Sequence, residues 1–191
     1  MKQLPFITIV SGLPRSGTSM MMQVMEAGGI PALTDNVRPK DEDNPQGYYE
    51  YEPVKKTRVD PSWVPGARGK VVKMVYRLLY DMPADQEYRV IFMRRNIDEV
   101  LASQKKMLQR SGRQGAAVGD EKLKELFMVE LDRFDRWIAA QPNFSIIEVD
   151  YSDMIASTGA QCERINEFLG GVLDCNRAAA AVDPTLYRNR S

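Results

Sequence analysis

The segment that most constrains the fold runs from Phe6 to Ala27. Phe6-Ile-Thr-Ile-Val10 is a continuous apolar, β-branched run ending at Ser11-Gly12, the pattern of a central parallel strand buried on both faces. Met21, Met22, Val24 and Met25 then recur at helical spacing between Thr18 and Ala27, and Gly28-Gly29 stops the helix. The chain must therefore turn from sheet to helix within Gly12-Leu-Pro-Arg-Ser-Gly17. A loop placed this way turns the amides of residues 16 to 19 toward the positive end of the helix, where an anion is held. The methionines beside it, Met20, Met21, Met22 and Met25, read as core filling on an amphipathic helix.

The rest of the chain repeats the strand-helix alternation. Val71-Val-Lys-Met-Val75 and Arg89-Val-Ile-Phe-Met93 read as strands, and Asn96 opens a helix with Glu99 three residues on, a capping-box arrangement. Leu123, Leu126, Phe127, Leu131, Phe134, Trp137 and Ile138 mark a long amphipathic helix. Phe144 to Val149 reads as a further buried strand, and a last helix lies around Cys162 to Leu169 before Gly170-Gly171. Such alternation predicts an α/β fold with a central parallel sheet flanked by helices, and ligands at the carboxyl ends of its strands. At 191 residues the chain fits one domain, 1–191. Residues 31–69 break the pattern: Pro39, Pro45, Pro53 and Pro65 stand among many charges with little periodicity, predicting a long excursion over the strand ends.

Composition excludes several function classes. Lys and Arg number 26 against 26 Asp and Glu, so neither a nucleic-acid coat nor a basic membrane-surface protein is expected, and an anion site must be local. The apolar start Leu4 to Val10 is too short to span a bilayer. Cys162 and Cys175 have no CxxC spacing, which argues against a zinc site and fits a reducing cytoplasm. The chain has no histidine at all, which excludes any histidine base or histidine metal ligand.

Gly12 and Gly17 have the GxxxxG spacing of a phosphate-binding P-loop, and the strand before and helix after supply the context that spacing alone lacks. A triphosphate loop needs Lys after the second glycine, then Ser or Thr for magnesium. Thr18 stands where that Lys should be. The cation is Arg15, inside the loop, where it suits a group attached to a single phosphate.

Leu13-Pro-Arg-Ser-Gly-Thr-Ser19 resembles the 5′-phosphosulfate loop of the PAPS-dependent sulfotransferases, whose bacterial and Golgi-type branch it is closest to. Arg89-Val-Ile-Phe-Met-Arg-Arg-Asn-Ile-Asp-Glu-Val-Leu-Ala-Ser103 is similar to that family's 3′-phosphate segment, in which an Arg at the strand end is followed eight residues later by a helix Ser. Asn44-Pro-Gln-Gly-Tyr-Tyr-Glu50 and the stretch from Ile147 through Gly170 also look like family segments. The resemblance implies a three-layer, P-loop NTPase-like fold. It also implies PAPS (3′-phosphoadenosine 5′-phosphosulfate) as sulfuryl donor with no metal, and a small-molecule, glycan or lipid acceptor. Arg15, Ser16, Gly17, Thr18, Ser19, Arg95 and Ser103 become the expected donor-binding residues, a guanidinium and a hydroxyl sharing the 3′-phosphate.

The resemblance leaves the catalytic base open. Lys73 matches a strand lysine of the eukaryotic cytosolic members, but Val75 occupies the position of their histidine base. Sulfuryl transfer needs cations facing the sulfonate and a group that takes the acceptor's proton. Arg15 and Lys73 are expected as the cations. Glu50 is the expected base, with Glu52 as the alternative, both on the 31–69 excursion that forms the acceptor side. Two competing functions remain: a magnesium-dependent P-loop nucleotide kinase, supported by the strand-end acid of Ile146-Ile-Glu-Val-Asp150, and a PAPS-binding protein without catalysis. The loop between Arg110 and Asp120, containing Arg113, is either a lid or a plain connection, and Tyr187-Arg-Asn-Arg190 either closes over the nucleotide or frays.

Overall fold

The computed structural model describes residues 4–35, 47–110 and 119–183. Among them, β1 (Ile7–Gly12), β2 (Ala32–Leu33), β3 (Val71–Lys73), β4 (Tyr88–Arg94) and β5 (Phe144–Asp150) form one sheet in the order β2-β3-β1-β4-β5. Every pairing is parallel, with Val10 beside Lys73 and Gly12 beside Met93. The helices are α1 (Thr18–Ala27), α2 (Ile97–Arg110), α3 (Asp120–Ala139), α4 (Tyr151–Ala156), α5 (Thr158–Phe168) and α6 (Cys175–Ala180). Short 3-10 turns cover Glu52–Lys56, Pro65–Ala67 and Tyr76–Asp81.

The sheet separates two cores, which is why β1 is apolar almost throughout. Val10, Ile91 and Met93 pack with Met21, Met25, Met154 and Ile165 on the side of α1, α4, α5 and α6. Ile7, Ile9, Val90 and Phe92 pack with Val100, Phe134 and Ile138 on the side of α2 and α3. Each such side chain, fully buried, contributes roughly 1.5–3 kcal/mol of apolar transfer. Met21, Met22 and Met25 are completely buried, the core filling expected of them, whereas Met20 faces the cavity described below.

Several elements depart from the sequence expectation. β3 ends at Lys73 rather than Val75, because the chain leaves the sheet after Met74 donates to the Val10 carbonyl and then coils into the turn at Tyr76. β5 is a strand as expected but lies at the sheet's edge, so only its Val149 is buried. Glu99 does not act merely as a capping-box acid: Asn96 accepts from the Asp98 amide as a cap should, while the Glu99 carboxylate is paired with Arg95. The excursion holds β2, which is too short to carry any periodicity. The helices α4 and α6, six residues each, are also too short to show in the sequence periodicity. Asn44-Pro45, residues 111–118 with Arg113, and Tyr187 to Arg190 lie outside the described residues.

Candidate active site

The sheet's carboxyl end places the loop, and two glycines show why it has this sequence. Gly12 has φ +150, and a Cβ there would stand 2.5 Å from Ser16 Oγ and 2.7 Å from the Met93 carbonyl oxygen. Gly17 has φ +100, and its Cβ would stand 2.4 Å from the Tyr151 ring. Each combines a left-handed backbone with a packing position that admits only hydrogen. Between them Arg15 is itself left-handed, at φ 70, a conformation that costs a side-chain-bearing residue on the order of 1–3 kcal/mol.

That strain is opposed by Arg95. Its Nη1 donates to the Arg15 carbonyl at 3.2 Å, its Nε donates to Glu99 at 2.8 Å, and its guanidinium lies 4.3 Å from the centre of the Tyr151 ring. The Arg95 and Glu99 side chains are only 8% and 5% exposed. Burial raises the Tyr151 phenol above its ordinary value, with Arg95 pulling the other way, so the ring presents a neutral face to the guanidinium. Arg15 in turn donates its Nε to Ser103 Oγ on α2 at 3.1 Å. Arg15 and Ser103, expected at opposite ends of the donor, thus meet directly.

Gly17 is the N-cap of α1, with no side chain among the described residues capping the first amides and no acid in the first turn. Those N–H groups lack intrahelical partners by geometry, and an anion is their natural partner. Within the loop, the Ser16 amide donates to the Leu13 carbonyl at 3.2 Å, and Ser16 Oγ is buried beneath Gly12 with no hydrogen-bond partner among the described residues.

Lys73 joins the loop to the excursion. Its Nζ donates to Ser19 Oγ at 3.3 Å and to the Tyr48 carbonyl. Two residues beyond, the Glu50 carbonyl accepts from the Asp35 amide and Thr34 Oγ1, and the Glu52 amide donates to Asp35 Oδ2 at 2.6 Å, so the two residues directly after β2 anchor this segment. The Glu50 carboxylate is 27% exposed and stands 4.0 Å from Lys55 Nζ, which also pairs with Glu52.

Arg15, Gly17, Thr18, Ser19, Glu50, Lys73, Arg95 and Ser103 all line one cavity of about 760 Å³. Of the residues the sequence singled out, Ser16 and the alternative base Glu52 do not line it. Val75, at the position of the missing histidine, does line it and is 42% exposed. Asp150, the acid on which a kinase reading relied, accepts from the Ser152 amide at 2.7 Å and caps α4, away from the cavity lining. Sequence reasoning missed Tyr151 and Glu99. Tyr151 directly follows the carboxyl end of β5, so the strand-end rule could have pointed to it. Nothing local marks Glu99 as anything but a helix-opening acid.

The profile of the family described as the sulfotransferase domain matches residues 7–188, and the chain belongs to that family. Comparison with curated proteins found no match. A sulfotransferase domain from the curacin biosynthetic pathway superposes with a TM-score of 0.50 at 16% identity, over 98% of this chain and 88% of that one. At that identity the likeness shows the α/β fold, with its central parallel sheet and flanking helices. An unliganded sugar kinase from a Janibacter species reaches a TM-score of 0.43 at 13% identity, over 92% and 97% of the two chains, too low to bear on function.

Proposed function

We propose that the chain transfers a sulfuryl group from PAPS to a hydroxyl, or an amine, of a small-molecule, glycan or lipid acceptor. The observation that carries this reading is the convergence of an uncapped helix start, Arg15, Lys73, Ser103 and one carboxylate, Glu50, on a single cavity. PAPS, when bound, supplies an activated sulfuryl group with adenosine 3′,5′-bisphosphate as its leaving group. The residues fit such a donor: the amides of residues 17–19 suit its 5′-phosphate, and Ser103 with the Arg95 guanidinium suits its 3′-phosphate. Arg15 and Lys73 offset the negative charge that builds on sulfonate and bridging oxygens during transfer. Lys73 is held for this task by Ser19 on the donor side and Tyr48 on the other.

Glu50 takes the acceptor's proton, in the role that histidine fills elsewhere in the family. Residues 31–69 form the acceptor side. We assign the protein to the reducing cytoplasm, a reading supported by the two free thiols, Cys162 and Cys175. The test is a thermal-shift panel of PAPS, adenosine 3′,5′-bisphosphate, ATP and GTP, each with magnesium and with EDTA. Stabilisation by PAPS and the bisphosphate, unchanged by EDTA, is expected; at a hundredfold Kd it amounts to about 2.7 kcal/mol. Stabilisation by ATP that depends on magnesium supports a kinase instead, and donor binding with no transfer to any acceptor supports a binding protein.

A further inference from the structure

Glu99 is a carboxylate inside the protein, and it is paired with a buried guanidinium. It sits in the first turn of α2, where its side chain is 5% exposed and receives the Nε of Arg95 at 2.8 Å. Buried ion pairs add little net stability, because the desolvation of both charges offsets their attraction. What such a pair does supply is a fixed pose for its members. Here the fixed member is Arg95, and Arg95 leads to the loop by two routes. Its Nη1 holds the carbonyl of Arg15, at φ 70. Its guanidinium lies 4.3 Å from the centre of the Tyr151 ring, and that ring is the surface against which Gly17, at φ +100, is packed. The two left-handed residues at the apex of the loop are therefore braced by one unit built from Arg95 and Tyr151.

We propose that Glu99 is a positioning residue for the glycine loop: by holding Arg95 between the Arg15 carbonyl and the Tyr151 ring, it keeps the loop in its anion-binding shape. α2 also carries Ser103, which accepts from Arg15. The loop is thus tied to one helix at two points a turn apart, Glu99 through Arg95 and Ser103 directly, and the two phosphate-recognition elements move as one body. As a statement about donor affinity this rests on the reading of PAPS as donor; as a statement about loop order it does not.

The experiment separates those two parts. Amide hydrogen exchange is measured at Ser16 and Met21, whose N–H groups are bonded to Leu13 and Gly17 within the loop, with α5 as internal reference. Calorimetry with adenosine 3′,5′-bisphosphate is run on the same proteins. Glu99→Ala is expected to speed exchange at both amides by at least about tenfold while α5 keeps its protection, and to raise the bisphosphate Kd by about the same factor. Glu99→Gln, which keeps an oxygen for Arg95 Nε, is expected to stay within about threefold of wild type in both readouts.

In an Arg95→Ala background, removing Glu99 is expected to change neither readout further, because Glu99 acts through Arg95. That double variant also leaves no lone buried charge, so it remains informative where Glu99→Ala does not fold. Unchanged loop exchange in Glu99→Ala, or an undiminished effect of removing Glu99 once Arg95 is gone, overturns the proposal. A wild-type protein that ignores the bisphosphate sinks the donor reading, and the exchange data still decide the role of Glu99.

Discussion

The glycine-loop wall of the cavity and the wall formed by residues 47–56 face each other, but they are held in place differently. The loop wall is fixed by close packing from several elements: Gly12 lies against Met93 of β4, Gly17 against Tyr151 of α4, and the Arg15 carbonyl under Arg95. Little in it can shift without a collision. The facing wall is held by hydrogen bonds between irregular segments together with the burial of Tyr48 and Val54. Thr34 and Asp35 fix the Glu50 backbone, Lys73 fixes that of Tyr48, and the turn Glu52–Lys56 follows, with Tyr51 edge-on to Trp63 at 5.8 Å. A site that recognises one phosphate geometry gains from the first kind of construction. A site whose substrate differs from one family member to the next gains from the second, because irregular segments accept substitution without disturbing the sheet.

If the two walls divide the work as proposed, damage to each is read in a different quantity. The largest effect is expected on the 47–56 side. Glu50→Gln should lower turnover by roughly 10²–10⁴-fold, the usual contribution of a general base, while the bisphosphate Kd stays near wild type. Steady-state transfer and calorimetry on the same preparation check this. An equal loss in both quantities would merge the two walls into one function, and retained turnover would remove Glu50 from the chemistry.

A smaller effect, of the opposite kind, is expected on the loop side. Gly17→Ala forces a Cβ toward the Tyr151 ring at φ +100, a strain on the order of 1–3 kcal/mol that corresponds to about 5- to 150-fold in donor affinity. Calorimetry with the bisphosphate reads it directly. The comparison sharpens if Gly17→Ala spoils binding while the thermal melting of the sheet is little changed, since the strain is then confined to the loop. Normal binding by this variant would mean that the loop tolerates rearrangement and that the contrast between the walls is wrong.

What could be read from the sequence follows the same division. β1, the loop and α1 were legible because strand burial, glycine spacing and helical periodicity all act within some twenty consecutive residues. That Arg95 and Ser103 line one cavity is legible as an eight-residue spacing across a strand end and a helix. Glu50 lies on the 31–69 excursion and lines the cavity, but its anchor is not visible in the sequence, because Thr34 and Asp35 follow a strand, β2, of only two residues. The burial of Ser16 and the bond from its amide to Leu13 are not legible, because a buried and an exposed serine look alike in a loop. Glu99 reads in the sequence as a capping acid, and only the fold reveals that it pairs with a buried guanidinium four residues earlier. The edge position of β5 was hidden too, because Phe144-Ser-Ile-Ile-Glu-Val149 is apolar enough for a central strand, and only sheet order distinguishes the two.

The central claim is that this site is shaped for a nucleotide carrying a 3′-phosphate, and titration calorimetry of adenosine 3′,5′-bisphosphate against AMP tests it most directly. A charge-assisted contact to the extra phosphate contributes on the order of 2 kcal/mol, so the bisphosphate is expected to bind at least about 30-fold more tightly than AMP. Binding of AMP or ATP as tight as that of the bisphosphate would contradict the account.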